Sequence, residues 1–234
     1  MVILQTADLN KIYQQNQKTI YAIIDCNVNI KRGDFLAITG GKGSGKSTLL
    51  RLLGGLEYPS GGKVYYNHND LYSMEEHELT SLCRKEISFV ARENQMISGL
   101  NLYDNIILPS LLHRSNLNKE YLKELTDSLH ITDVLHHYPK YIPNGKKRCA
   151  AFVRALLKQP EIIFVDEAEK DLDHQLGKDI LDVLLNYINW YQKTLVMVTN
   201  DPEVTIFADH IIRLDMGKVE ENRKIYGYQS TFIN

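Results

Sequence analysis

The sequence predicts an α/β fold with a parallel-sheet core. Three observations predict it. Short apolar strands alternate with helical segments along most of the chain. A glycine-rich turn, GGKGSGKS (Gly40 to Ser47), joins one apolar strand to a helix. A second apolar strand, IIFVDE, ends in two acids, Asp166 and Glu167.

The elements follow in chain order. IIDCNVNIK alternates, with Ile24, Cys26, Val28 and Ile30 on one side and Asp25, Asn27, Asn29 and Lys31 on the other, so it reads as one half-buried strand. KRGD turns the chain into FLAIT, an apolar run suited to a strand buried on both faces. STLLRLLGGL has helical apolar spacing and stops at Gly54 and Gly55. YPSGGKVYYN reads as a turn entering another strand. Residues from about 75 to 157 read as mostly helical, with no strong buried strand after ISFVA. EIIFVDE and TLVMVTN are buried strands flanking the amphipathic helix KDILDVLLNYINWYQK, and HIIRLDMGKV reads as a final strand and hairpin. The expected organisation is one domain over 1–234. A β-rich lobe and core take about 1–90 and 158–234, and an inserted helical lobe takes about 91–157.

Bulk properties narrow the function classes. The 234 residues are 44% hydrophobic and 24% charged, ordinary for a globular protein. A net charge of -2 leaves no electrostatic footprint for nucleic acid. The longest basic run, Lys146-Lys147-Arg148, reads as a solvated helix face. Three cysteines (Cys26, Cys83, Cys149) lie far apart without CxxC spacing, which points to reduced thiols. The eight histidines are scattered, and the adjacent pair His136-His137 does not share a helix face, so core or surface roles are expected for them. MVILQTADLNKIYQQ does not read as a signal peptide, and no apolar run is long enough to span a membrane.

Gly40-x-x-x-x-Gly45-Lys46-Ser47 fits the phosphate-loop pattern. Gly40, Gly41, Gly43 and Gly45 allow tight turns, so N–H groups from Lys42, Ser44 and their neighbours can converge on one anion. The helix that follows, through Thr48, adds its N-terminal partial charge. Lys46 is placed to neutralise β- and γ-phosphate oxygens, and the Ser47 hydroxyl to ligate Mg²⁺. At the end of IIFVDE, Asp166 is the candidate Mg²⁺ holder and Glu167 the candidate polariser of an attacking water. The ligands expected here are phosphate oxygens and Mg²⁺.

With these residues in place, the chain resembles the nucleotide-binding subunit of an ABC transporter, nearly end to end. TLLRLLGGLEYPSGGKVYYNHNDL resembles the subgroup serving lipoprotein release, macrolide or peptide efflux and envelope signalling. The resemblance implies a P-loop NTPase fold with an N-terminal antiparallel β lobe. It implies that Tyr13 stacks on adenine and that DEAEKDLD holds the Walker B acids and a D-loop ending Leu172-Asp173. It implies an integral-membrane permease partner, a second nucleotide-binding chain of the same or another kind, and a peripheral place on the cytoplasmic face of the membrane. No nucleic-acid partner is expected, because the long heptad insertions of DNA-repair members and the doubled domains of translation factors are not present.

Three positions depart from the family pattern. Arg92 stands at the Q-loop glutamine, Asn200 at the switch histidine, and Ile142-Pro143-Asn144-Gly145-Lys146 at the LSGGQ signature. Pro143 has neither hydroxyl nor N–H. Asn144 adds bulk, and Lys146 offers only a mobile point charge. Asn200 cannot take up a proton. Three roles are open to Arg92: repelling the metal, reaching inward as an arginine finger, or facing a membrane partner. A preorganised donor is worth about 2.7–4 kcal/mol in the transition state. ATP binding is therefore expected to persist while ATPase turnover is weak. A subunit coupling ATP to a permease is the leading expectation. A non-hydrolysing regulatory subunit paired with an intact ATPase chain is the alternative.

Overall fold

The computed structural model describes residues 1–15, 18–93, 95–112, 116–167 and 172–225. The chain opens with β1 (Val2–Gln15), β2 (Lys18–Cys26), β3 (Asn29–Lys31) and β4 (Phe35–Gly40). Helix α1 (Lys46–Leu53), β5 (Gly61–Tyr66), β6 (Asn69–Asp70), α2 (Glu76–Lys85) and β7 (Ile87–Val90) follow. Three helices come next: α3 (Leu102–Leu112), α4 (Lys119–Ser128) and α5 (Asn144–Leu157). The chain then runs through β8 (Ile162–Asp166), α6 (His174–Tyr191), β9 (Thr194–Val198) and α7 (Pro202–Thr205). It closes with the hairpin of β10 (His210–Asp215) and β11 (Lys218–Lys224).

Two sheets result. The N-terminal one is antiparallel, in the order β2-β1-β5-β6 with β3 also paired to β1. The other has the order β11-β10-β4-β9-β8-β7 and is parallel except for β11. This is the α/β architecture that the alternating strands and helices predict.

Residues along each central strand alternate between two cores. Leu36, Ile38, Ile162, Phe164, Val196, Val198, Ile212 and Leu214 face the core shared with α1 and the antiparallel sheet. Phe35, Ala37, Ile163, Val165, Leu195, Met197 and Ile211 face the core shared with α3 to α6. Leu49, Leu50, Leu52 and Leu53 anchor α1, all fully buried. Each such side chain contributes about 1.5–3 kcal/mol of hydrophobic stabilisation.

Two expectations need correction. IIDCNVNIK is not one strand: it divides between β2 and β3. Ile23 is buried in place of Ile24, because Asp25 takes φ 46° and breaks the two-residue alternation. Asn10 holds that break, donating to Asp25 Oδ1 at 2.9 Å and accepting the Asp25 amide at 3.1 Å. The amphipathic helix starts at His174, four residues before KDILDV, because Asp173 caps it by accepting the Leu176 amide at 2.9 Å.

Candidate nucleotide-binding site

The site begins where β4 delivers the chain into the glycine turn. Gly40 pairs with Leu214 in the adjacent strand, and a Cβ at Gly40 would sit 2.2 Å from the Leu214 carbonyl oxygen. Gly45, the residue before α1, has φ 104°, and its Cβ would meet the Ala22 carbonyl oxygen at 2.2 Å. Both positions therefore require glycine. The first helical amide taken up is that of Leu49, by the Gly45 carbonyl at 2.8 Å. The N–H groups of Lys46, Ser47 and Thr48 thus lie at the open helix end. Gly41, Lys42 and Gly43 are exposed beside them.

Lys46 is buried, and its ammonium donates to the Gly40 and Gly41 carbonyls, both at 2.8 Å. Burial lowers its pKa, while Glu167 and Asp166 act in the opposite direction. Ser47 donates its hydroxyl hydrogen to Asp166 Oδ1 at 3.0 Å, which joins the loop to the end of β8. Ser44 Oγ is buried without a hydrogen-bond partner among the described residues. A buried polar atom is costly unless satisfied. The Ser44 hydroxyl, the open amides and the Lys46 charge together fit a polyphosphate. The Ser47–Asp166 pair fits a hard cation held by oxygens.

The remaining predicted residues divide into two groups. Asn200 joins the loop directly, and Arg92 and Glu167 pair with each other at the end of β8. Arg92 Nε pairs with Glu167 Oε2 at 3.3 Å, and Glu167 takes φ 47° just past β8. Asn200 Oδ1 accepts the Gly40 amide at 3.0 Å. Tyr13 reaches the site through Thr48, its hydroxyl 3.4 Å from Thr48 Oγ1 while it donates to Glu57 Oε1 at 2.6 Å. Glu57 also receives Arg51 and Lys11, each at 3.0 Å. Burial alone would raise the Glu57 carboxyl, but the bonds from Tyr13, Arg51 and Lys11 outweigh it and hold the group below its usual range.

The signature positions make other contacts. Pro143 caps α5 from outside, in extended conformation, without a side-chain bond to the helix. Asn144 is the first helical residue. A Cβ on Gly145 would lie 3.0 Å from Leu176 and 3.8 Å from Leu172, so this glycine serves packing against the start of α6. Lys146 pairs with Asp133 Oδ1 and Oδ2 at 2.7 and 2.6 Å. Residues 168–171 of DEAEKDLD lie outside the described set.

The basic run is the main correction. Arg148 is not solvated: it is 3% exposed. Its guanidinium donates to the carbonyls of Ala91, Arg92, Asp166 and Glu167. The one cue in the sequence is the apolar run from Cys149 to Val153 directly after Arg148, which marks a helix buried all round but names no acceptor. A charge in a helix buried all round must be paired. The Glu57 hub was also missed, since Tyr13 and Lys11 come to it from far away in sequence.

The ABC transporter family model matches residues 23–170. The ABC transporter ATP-binding protein MJ0796 of Methanocaldococcus jannaschii is 32% identical over 232 residues, covering 97% of this chain and 99% of that protein. The lipoprotein-releasing system ATP-binding protein LolD of Buchnera aphidicola is 29% identical, covering 95% of this chain and 98% of LolD. Among solved structures, the dimeric post-hydrolysis state of MJ0796 bound to ADP and Pi matches with a TM-score of 0.90 and 31% identity. That match covers 97% of this chain and 100% of the other. On this full-length likeness the chain belongs to the ABC transporter family, as an ATP-binding cassette.

Proposed function

We propose that the chain holds ATP with Mg²⁺ on Gly40 to Thr48 and Asp166, and couples binding and slow hydrolysis to a separate integral-membrane permease. The observation that carries this reading is the Ser47–Asp166 bond beside a glycine turn with an unsatisfied Ser44 hydroxyl. When bound, Mg²⁺-ATP supplies the γ-phosphoryl group and the metal charge. The chain supplies the rest. Lys46 and the open amides hold phosphate charge, Ser47 and Asp166 hold the cation, and Glu167 orients water. Tyr13 offers its ring to the base.

Slow turnover is supported by where the three exchanged residues put their polar atoms. Arg92 lies on Glu167, Asn200 binds Gly40, and Lys146 pairs with Asp133. Each of these contacts is internal to the chain. The alternative, a non-hydrolysing regulatory subunit, is not favoured, since likeness to transporter ATP-binding proteins extends over nearly the whole chain.

A permease partner is supported by a groove of about 890 Å³ beside the loop after β7, whose lining includes Leu56, Tyr58, Ile97, Leu112, Arg84 and Lys158. No helix among the described residues is long and apolar enough to cross a membrane, which suits a subunit docked on a permease at the cytoplasmic face. A second nucleotide-binding chain, identical or different, completes the assembly, as MJ0796 pairs in its dimer.

Calorimetry with Mg²⁺-ATP on wild type and Lys46→Ala tests the reading. At least a tenfold weaker affinity is expected in the variant. Equal affinities would overturn the site.

A further inference from the structure

The parallel ladder between β7 and β8 ends at Val90 paired with Val165. The next residues, Ala91 and Arg92 on one side and Asp166 and Glu167 on the other, leave the ladder. Arg148 bridges that gap. Its Nη1 donates to the Ala91 carbonyl and, at 3.0 Å, to the Arg92 carbonyl. Its Nη2 donates to the Asp166 and Glu167 carbonyls at 3.0 and 2.9 Å. One buried guanidinium therefore ties both strand ends together. The Phe152 ring lies below it, with Cζ 5.5 Å from the ring centroid. A planar cation with fixed donor directions suits this task, and an ammonium does not reproduce it.

The side chains of the two tied segments then meet as the Arg92–Glu167 pair. Arg92 is 49% exposed and Glu167 25%. Such a pair shifts an equilibrium by up to roughly fivefold. It restrains the carboxylate without locking it.

We propose that Arg148 is a positioning residue: it fixes the Arg92 loop against the end of β8 and so sets the Arg92–Glu167 pair that restrains Glu167. This rests on the reading of Glu167 as the group that orients water. The arrangement gives Arg92 a role within the site, and places the control of Glu167 in a loop that borders the groove.

The experiment is a double-variant cycle on the full chain, with Arg92→Gln, Arg148→Lys, their combination, and Glu167→Gln as control. Single-turnover hydrolysis at saturating Mg²⁺-ATP and affinity for a fluorescent ATP analogue are both read, below the melting midpoint of every variant. Arg92→Gln is expected to raise the hydrolysis rate about threefold to fivefold. In the Arg148→Lys background its effect should fall below twofold, while nucleotide affinity stays within twofold of wild type. A merely structural Arg148 would lower stability and leave the Arg92→Gln ratio unchanged. That ratio, unchanged while Glu167→Gln abolishes hydrolysis, overturns this inference alone. Undiminished hydrolysis in Glu167→Gln overturns the site reading and this inference with it. Should Arg148→Lys not fold, Phe152→Leu, which removes the ring below the guanidinium, carries the same cycle with the same two outcomes.

Discussion

The Asn200 side-chain oxygen accepts the Gly40 amide hydrogen at 3.0 Å, tying the start of the glycine turn to the end of β9. The residue at the family's switch position therefore serves as a brace for the loop. A single such bond contributes about 1 kcal/mol. Asn200→Ala should weaken Mg²⁺-ATP binding by about threefold to tenfold, measured by calorimetry. An unchanged affinity would mean that the loop holds its shape without the brace.

Gly45 and Gly41 should respond unequally to alanine. At Gly45 the backbone has φ 104° and a Cβ would strike the Ala22 carbonyl, whereas at Gly41 nothing lies within 4 Å. Gly45→Ala should cost more than about 2 kcal/mol and remove ATP binding. Gly41→Ala should change stability by less than about 1 kcal/mol. Denaturant midpoints of the two variants check this. Similar losses in both would refute the described loop geometry.

Lys158 gives the chain a pH dependence in the alkaline range. Its ammonium donates to the Cys83 carbonyl at 2.9 Å and to the Ile87 carbonyl. Burial pulls its pKa down to about 8, with Cys83 acting the other way. In the unfolded chain a lysine titrates near 10.4. Between these values the unfolded state binds more protons, so this residue's contribution to stability rises with pH. The stability of wild type relative to Lys158→Met should therefore increase by about 2 kcal/mol between pH 7.5 and pH 10.5. Urea midpoints at the two pH values would show it, and a constant difference would show that the ammonium is solvated.

The legible parts of the sequence were those encoded locally. The glycine turn needs only residues 40 to 48, and IIFVDE only six positions, and both stand where the pattern placed them. Contacts between distant segments were not legible. Lys146 reads as a free point charge until the 3₁₀ turn at Thr132–Val134 brings Asp133 to it. Arg148 reads as one member of a basic run because its acceptors are backbone carbonyls, which carry no residue identity. The β2–β3 break is not legible either, because a positive φ at an aspartate has no signature in apolar alternation.

Strand β8 also settles an assignment that composition leaves symmetrical. Ile162 and Phe164 belong to the core around α1, and Ile163 and Val165 to the core around α5 and α6. Asp166 inherits the even-numbered side and meets Ser47 there. Glu167 follows as the strand ends, and it meets Arg92 instead. Asp166 is thus placed by strand parity, and Glu167, at φ 47°, by the turn beyond the strand. Deleting one residue within β8 would keep both carboxylates but bring the glutamate to the position facing Ser47 and draw the aspartate onto the side of the α5 and α6 core, so an intact DE dipeptide is no guarantee of an intact site.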